Sequence, residues 1–119
     1  MALNSKTLSF NFNDGIIRIS HEVFKLLKFP EFIRILLNIG EKRIIIQPTD
    51  KNDTDRISIN YNIKTFEDNP RIHSKLLVEK IYITSGWDLE KRYRVNIDYD
   101  SARGVFAADL TKASETGAK

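Results

Sequence analysis

Apolar and polar residues alternate along this chain in short bursts, and one order of bursts occurs twice. Leu8-Ser9-Phe10-Asn11-Phe12 alternates with period two, the pattern of a half-buried strand. Asn13-Asp14-Gly15 supplies turn chemistry and Ile16–Ile19 continues as a partner strand, so residues 8–19 are expected to form a hairpin. Ser20 stands where its hydroxyl can cap a helix, and Val23, Phe24, Leu26 and Leu27 follow at helical spacing up to Pro30. Phe32–Asn38 and Arg43–Gln47 predict a second hairpin around Gly40-Glu41-Lys42, closed by Pro48.

A polar, turn-rich run over residues 49–56 then reads as a linker. Beyond it, Ile57–Ile63 alternates over seven residues as a strand and Thr65–Pro70 as a loop. Arg71-Ile72-His73-Ser74 opens the second round. A helix is expected from Ser74 to about Thr84, presenting Leu76, Leu77, Lys80 and Ile81 on one face and stopping at Ser85-Gly86. A strand at Tyr93–Asp98, a polar turn at Tyr99–Arg103 and a last strand at Gly104–Leu110 complete it. Thr111–Lys119 offers little to bury and is expected to fray.

Setting Arg18-Ile19 on Arg71-Ile72, with one inserted residue before Ser74, brings Val23 onto Leu77 and Leu27 onto Ile81. Phe32–Asn38 then falls on Tyr93–Asp98. Each half alone is too small to bury much of a core, so the repeat points to two units sharing one. The expected fold is α+β and mostly β: one domain over residues 1–110, built from pseudo-duplicated hairpin and helix units at 8–48 and 57–110 in a small barrel-like arrangement, with a flexible tail at 111–119. Ile19, Val23, Leu27, Ile35, Ile45, Ile72, Leu77, Ile81, Val95 and Phe106 are the expected core.

Composition narrows the class. At 119 residues, with 41% hydrophobic and 29% charged positions, the chain has the make-up of a globular domain rather than a disordered one. Its apolar runs are far shorter than a membrane span, the N-terminus lacks a secretory pattern, and a cytoplasmic protein with no membrane association is expected. Having no Cys, the chain has no thiolate ligand, disulfide or cysteine nucleophile. Nineteen Lys and Arg against sixteen Asp and Glu leave a net charge of +3, spread without a block. That permits a nucleic-acid surface without requiring one.

Candidate chemistry is sparse. His21 and His73 stand beside the two helix starts and could meet across a pseudo-twofold, yet no H-x-x-x-H or Cys/His cluster accompanies them, so no metal is expected. Ser20-His21 lacks a G-x-S-x-G elbow and an orienting carboxylate, and the five glycines are too scattered for a phosphate loop. Neither an enzyme nor a cofactor is therefore expected. Trp87 suits a core or interface anchor, and Tyr93 and Tyr99, set among charges, suit packing more than an RNA surface.

Residues Gly15 to Leu27, GIIRISHEVFKLL, resemble the core of the AbrB/MazE-type swapped-hairpin regulators. That family carries a strand, a helix-start residue, Glu-Leu, a basic residue and a Leu; Glu22, Val23, Lys25 and Leu27 match in place. Phe32–Leu37, the turn and Arg43–Pro48 resemble its second hairpin, with a weaker echo over 57–110. Ser20 stands for the usual proline, and Ile16 follows the turn glycine where the family often has arginine. The whole chain also resembles short, functionally unassigned bacterial proteins through Arg71–Lys75, Gly86-Trp87-Asp88 and Lys91–Val95. The first resemblance implies a DNA-binding transcription regulator with an AbrB-type domain, present as a monomeric pseudo-dimer or as a homodimer. Arg18, Lys25, Arg71 and Lys75 would then contact duplex DNA. A non-enzymatic module that binds a protein partner is the alternative reading.

Overall fold

The computed structural model describes residues 6–59 and 71–116. Among the described residues ten strands form two antiparallel five-stranded sheets, with two α-helices between strands of the first and second rounds. The class is α+β and mostly β, as expected. Among the described residues the sheets do not close into a barrel, which corrects the barrel-like expectation.

The first hairpin forms as read: β1 (Thr7–Asn11) pairs antiparallel with β2 (Ile16–Ile19), Phe10 opposite Ile17. Its turn needs Gly15, whose φ is +63°. A Cβ there would lie 2.9 Å from Lys75 Cγ and 3.0 Å from Lys75 Cα, because the Ser74 amide donates to the Gly15 carbonyl and draws the second helix start against the turn. Gly15→Ala combines left-handed strain with this clash and is expected to cost about 1–3 kcal/mol in a urea melt.

The short helix α1 (His21–Leu26) buries Val23 and Phe24. Ser20 does not cap it, contrary to expectation. Its buried hydroxyl accepts from the Thr7 amide at 2.7 Å and donates to the Thr7 carbonyl at 3.0 Å, tying the helix start to β1. The chain leaves α1 through Lys28 and Phe29, both in the left-handed region, before Pro30.

The second hairpin joins β3 (Phe32–Asn38) to β4 (Arg43–Thr49). Pro48 does not close it but lies within β4 opposite Ile33. β4 meets its other neighbour only over Arg43–Ile46, so the missing proline N–H leaves no ladder bond unmade on that side. Ile44 and Ile46 are the buried residues of β4, and Ile45 faces the other way, half-buried. The linker expected at 49–56 is pinned: Thr49 Oγ1 donates to Asp53 at 2.8 Å, and Arg34 lies 3.6 Å from Asp53 and 3.2 Å from Asp55. Hydrogen bonds from the Asp55 amide and the Thr49 hydroxyl hold the Asp53 carboxyl below the usual carboxylate range.

Strand β5 (Ile57–Ser58) pairs with β3; most of the strand read over 57–63 and the loop read over 65–70 lie outside the described residues. β6 (Arg71–His73) pairs with β2. The helix α2 (Lys75–Ser85) starts at Ser74, whose Oγ accepts from the Leu77 amide at 3.3 Å, and stops at Gly86 in the left-handed conformation. Its buried face is Val78, Ile81 and Tyr82, one step round from the expected stripe; Leu76 is 65% exposed.

Strand β7 (Arg92–Asn96) joins β1, and β8 (Asp98–Asp100) pairs with β9 (Val105–Asp109). Tyr99 and Asp100, expected in a turn, are thus strand residues, and the turn spans 101–104, where Gly104 takes φ +67°. After a 3-10 turn at Leu110–Lys112, β10 (Ser114–Thr116) pairs with β7, so this part of the expected tail belongs to a sheet. The strand orders are β10-β7-β1-β2-β6 and β5-β3-β4-β9-β8.

One core unites both sheets and both helices. Ile19, Val23, Leu27, Ile72, Ile81, Val95 and Phe106 are buried in it as expected, while Ile35 and Leu77 are partly buried against it. Tyr82 is its polar anchor, fully buried, donating to the carbonyls of Phe10 at 3.1 Å and Lys91 at 2.7 Å. Burial raises its pKa from 10.0 to about 12. In the unfolded chain this phenol ionises near 10, so folding stability falls as pH rises from there towards 12, because the native state holds the proton that the unfolded state releases. Tyr82→Phe leaves two carbonyls without this donor and is expected to cost about 1–3 kcal/mol, and to flatten that alkaline loss in urea melts at pH 9 to 11.

Candidate nucleic-acid interface

Strict alternation on the first sheet sends Leu8, Phe10, Ile17, Ile19, Ile72, Tyr93 and Val95 into the core. The intervening residues must point outward. Cross-strand register then builds a row: Arg71 on β6 opposite Arg18 on β2, Arg18 opposite Ser9 on β1, Ser9 opposite Arg94 on β7, and Arg94 opposite Ser114 on β10. A parallel row runs His73, Ile16, Asn11, Arg92 and Thr116. Four arginines share one outer face, and all four are exposed.

Arg18 and Arg71 face each other directly, a like-charge cross-strand pair that destabilises a sheet by a few tenths to 1 kcal/mol. Among the described residues none of the four arginines has an ion-pair partner, whereas Arg34, Lys91 and Arg103 each have an acid within 4 Å. The outer face of the second sheet is mixed in sign: Asp98, Asp100 and Asp109 lie there with Arg34 and Arg43.

Of the four cations read from the sequence, the fold brings Arg18 and Arg71 together. Lys25 lies exposed in the last turn of α1, and Lys75 is the first residue of α2, against Gly15. Tyr82 of α2 meets Tyr93 on the core side of the sheet, with ring centroids 5.7 Å apart, so this helix packs on the opposite side of the sheet from the arginine row. Arg92 and Arg94 were not among the candidate site residues. Their signal was the alternation Arg92-Tyr93-Arg94-Val95, but what places them beside Arg18 is the pairing of β7 with β1, more than eighty residues apart in sequence.

Between the arginines lies a depression of about 210 Å³ whose floor is β1, with Ser9 and Asn11 half-buried between Arg18 on one side and Arg92 and Arg94 on the other. Asn11 is committed to the turn, its Nδ2 donating to Asp14 at 2.9 Å. The Ser9 hydroxyl has no hydrogen bond among the described residues.

His73 lies on the arginine face and His21 beside the Phe29 ring, with centroids 6.1 Å apart. Among the described residues no three His, Asp or Glu side chains gather to hold a metal. Trp87 stacks on Tyr93 at 4.4 Å and meets Phe10 and Tyr82, so its ring is a packing element. No described helix is long and apolar enough to cross a membrane. Comparison with known proteins gives no match to a family model, a curated protein or a solved structure.

Proposed function

We propose that this protein binds duplex DNA through the outer face of its first sheet, as a non-enzymatic regulator of the swapped-hairpin kind. The observation that carries this reading is the row of four arginines without acid partners among the described residues, held on one face by cross-strand register. Strands lie about 4.8 Å apart, so Arg71 and Arg94 are separated by roughly 14 Å across the sheet. That is close to the major-groove width of about 12 Å, which suits contacts to phosphates on both walls. Arg18, Arg71, Arg92 and Arg94 supply the contacts, while Lys75 begins the helix packed against the other side of the sheet. The outward positions of this face carry no Phe, Tyr or Trp among the described residues, which disfavours base stacking on a single strand.

Strand pairing supports the duplicated architecture behind this reading. β1 pairs with β7, the strand after α2, and β5 pairs with β3, the strand after α1. β2 pairs with β6, and β4 with β9, each strand meeting its counterpart. A local twofold through the Arg18–Arg71 pair superposes 18 on 71 and 19 on 72, the register of the sequence repeat. On this reading a monomer serves as a pseudo-dimer, with Arg18 and Arg71 at its axis and Arg92 and Arg94 to one side of it.

A protein-interaction module is the second reading. It is favoured by Leu76 and Ile83, one heptad apart on α2 and 65% and 70% exposed. Fluorescence anisotropy with labelled duplex at low and physiological salt separates the two. The DNA reading expects binding at low salt that weakens steeply as salt rises, and weaker retention of a single strand. No binding at low salt sinks it.

A further inference from the structure

We infer that the depression on β1 is a seat for a small polyphosphate, a ligand with two adjacent phosphoryl groups, and that this ligand competes with DNA for the arginine face. The cause is a long–short–long arrangement across three strands. Arg18 and Arg94 stand on either side of Ser9, and Arg92 lies two residues from Arg94 on the same strand. A short side chain between two long ones leaves a trough, and the guanidinium groups are long enough to reach over it.

Size and charge choose the ligand. At about 210 Å³ the space is below the usual range of roughly 300–1,000 Å³ for drug-sized ligands, so it fits an anionic head group rather than a whole nucleotide. Three guanidinium groups carry more positive charge than one phosphate dianion neutralises, and their planar forks match phosphate oxygens two at a time. The Ser9 hydroxyl adds a neutral donor at the centre of the floor. Asp14 lines the far end of the trough, where its carboxylate is engaged by Asn11; it repels an anion there and confines the seat to the Ser9 end.

Inorganic pyrophosphate is the probe, titrated calorimetrically into the full chain with ionic strength matched by chloride. The expected result is saturable one-to-one binding, weakened at least tenfold by Arg94→Ala and largely retained in Arg103→Ala, which removes the same charge from the turn after β8. Arg94→Lys, which keeps the charge and loses the fork, is expected to fall between them. Pyrophosphate should also displace labelled duplex from the wild-type chain. The inference rests on the DNA reading only for this competition: pyrophosphate binding without any duplex binding removes that reading and leaves the seat standing. Duplex binding that pyrophosphate disturbs no more than matched chloride overturns the inference. Equal loss in Arg94→Ala and Arg103→Ala also overturns it, since net charge alone would then explain binding.

Discussion

The Arg18→Ala, Arg71→Ala double variant is expected to bind duplex DNA about 100-fold more weakly at low salt, and equally so on every sequence tested. A hydrogen bond to a charged group contributes roughly 1.5–3 kcal/mol, and the low end taken twice gives that factor. The loss is uniform because phosphate contacts position a protein without reading bases. The log–log salt slope should shrink by about 0.9 for each phosphate contact removed. Stability should move the other way. The two guanidinium groups face each other across β2 and β6, so removing both relieves repulsion, and the urea midpoint should hold or rise. A variant that bound weakly because it had unfolded would show the opposite sign. Anisotropy and urea melts on one preparation therefore distinguish a lost contact from a lost fold.

Phe10→Ala is expected to cost about 3–5 kcal/mol in urea unfolding, a large fraction of the roughly 5–15 kcal/mol that holds a domain of this size. Phe10 is 1% exposed, lies 5.4 Å from the Trp87 ring, and shares β1 with Ser9 and Asn11. The Tyr82 hydroxyl bonds its carbonyl, so its backbone and its side chain are both fixed by the core. The same strand thus carries the floor of the anion depression on one face and the centre of the aromatic cluster on the other. If Phe10→Ala unfolds at the wild-type midpoint, the aromatic cluster does not hold the core together.

Local pattern was a good guide wherever neighbours in sequence are also neighbours in space. The hairpins around Gly15 and Gly40 and the Ser74-to-Gly86 helix follow from alternation, turn residues and caps. Ser20 had the chemistry of a cap but folds onto Thr7, a choice set by β1 lying within reach. Tyr99 and Asp100 have the neighbours of a polar turn, yet backbone pairing with Val105 and Phe106 makes them strand residues. β10 carries Ser114-Glu115-Thr116, which has no apolar alternation at all; it is an edge strand held by backbone bonds and the Lys91–Glu115 pair at 3.2 Å. On α2 the apolar residues surround the axis, so spacing alone could not choose between the stripe with Leu76 and the one with Tyr82. Half of the candidate site was legible as Arg18 and Arg71. Arg92 and Arg94 were visible only as alternating charges, because long-range pairing decides which strands stand side by side.

The most direct test of the proposed interface is an amide NMR titration of the full chain with a short duplex at low salt. Shift changes are expected to concentrate on Ser9, Arg18, Arg71, His73, Arg92 and Arg94, and to fade together as salt is raised. Changes confined to α2 around Leu76 and Ile83, or to the second sheet, or none at low salt, would contradict it.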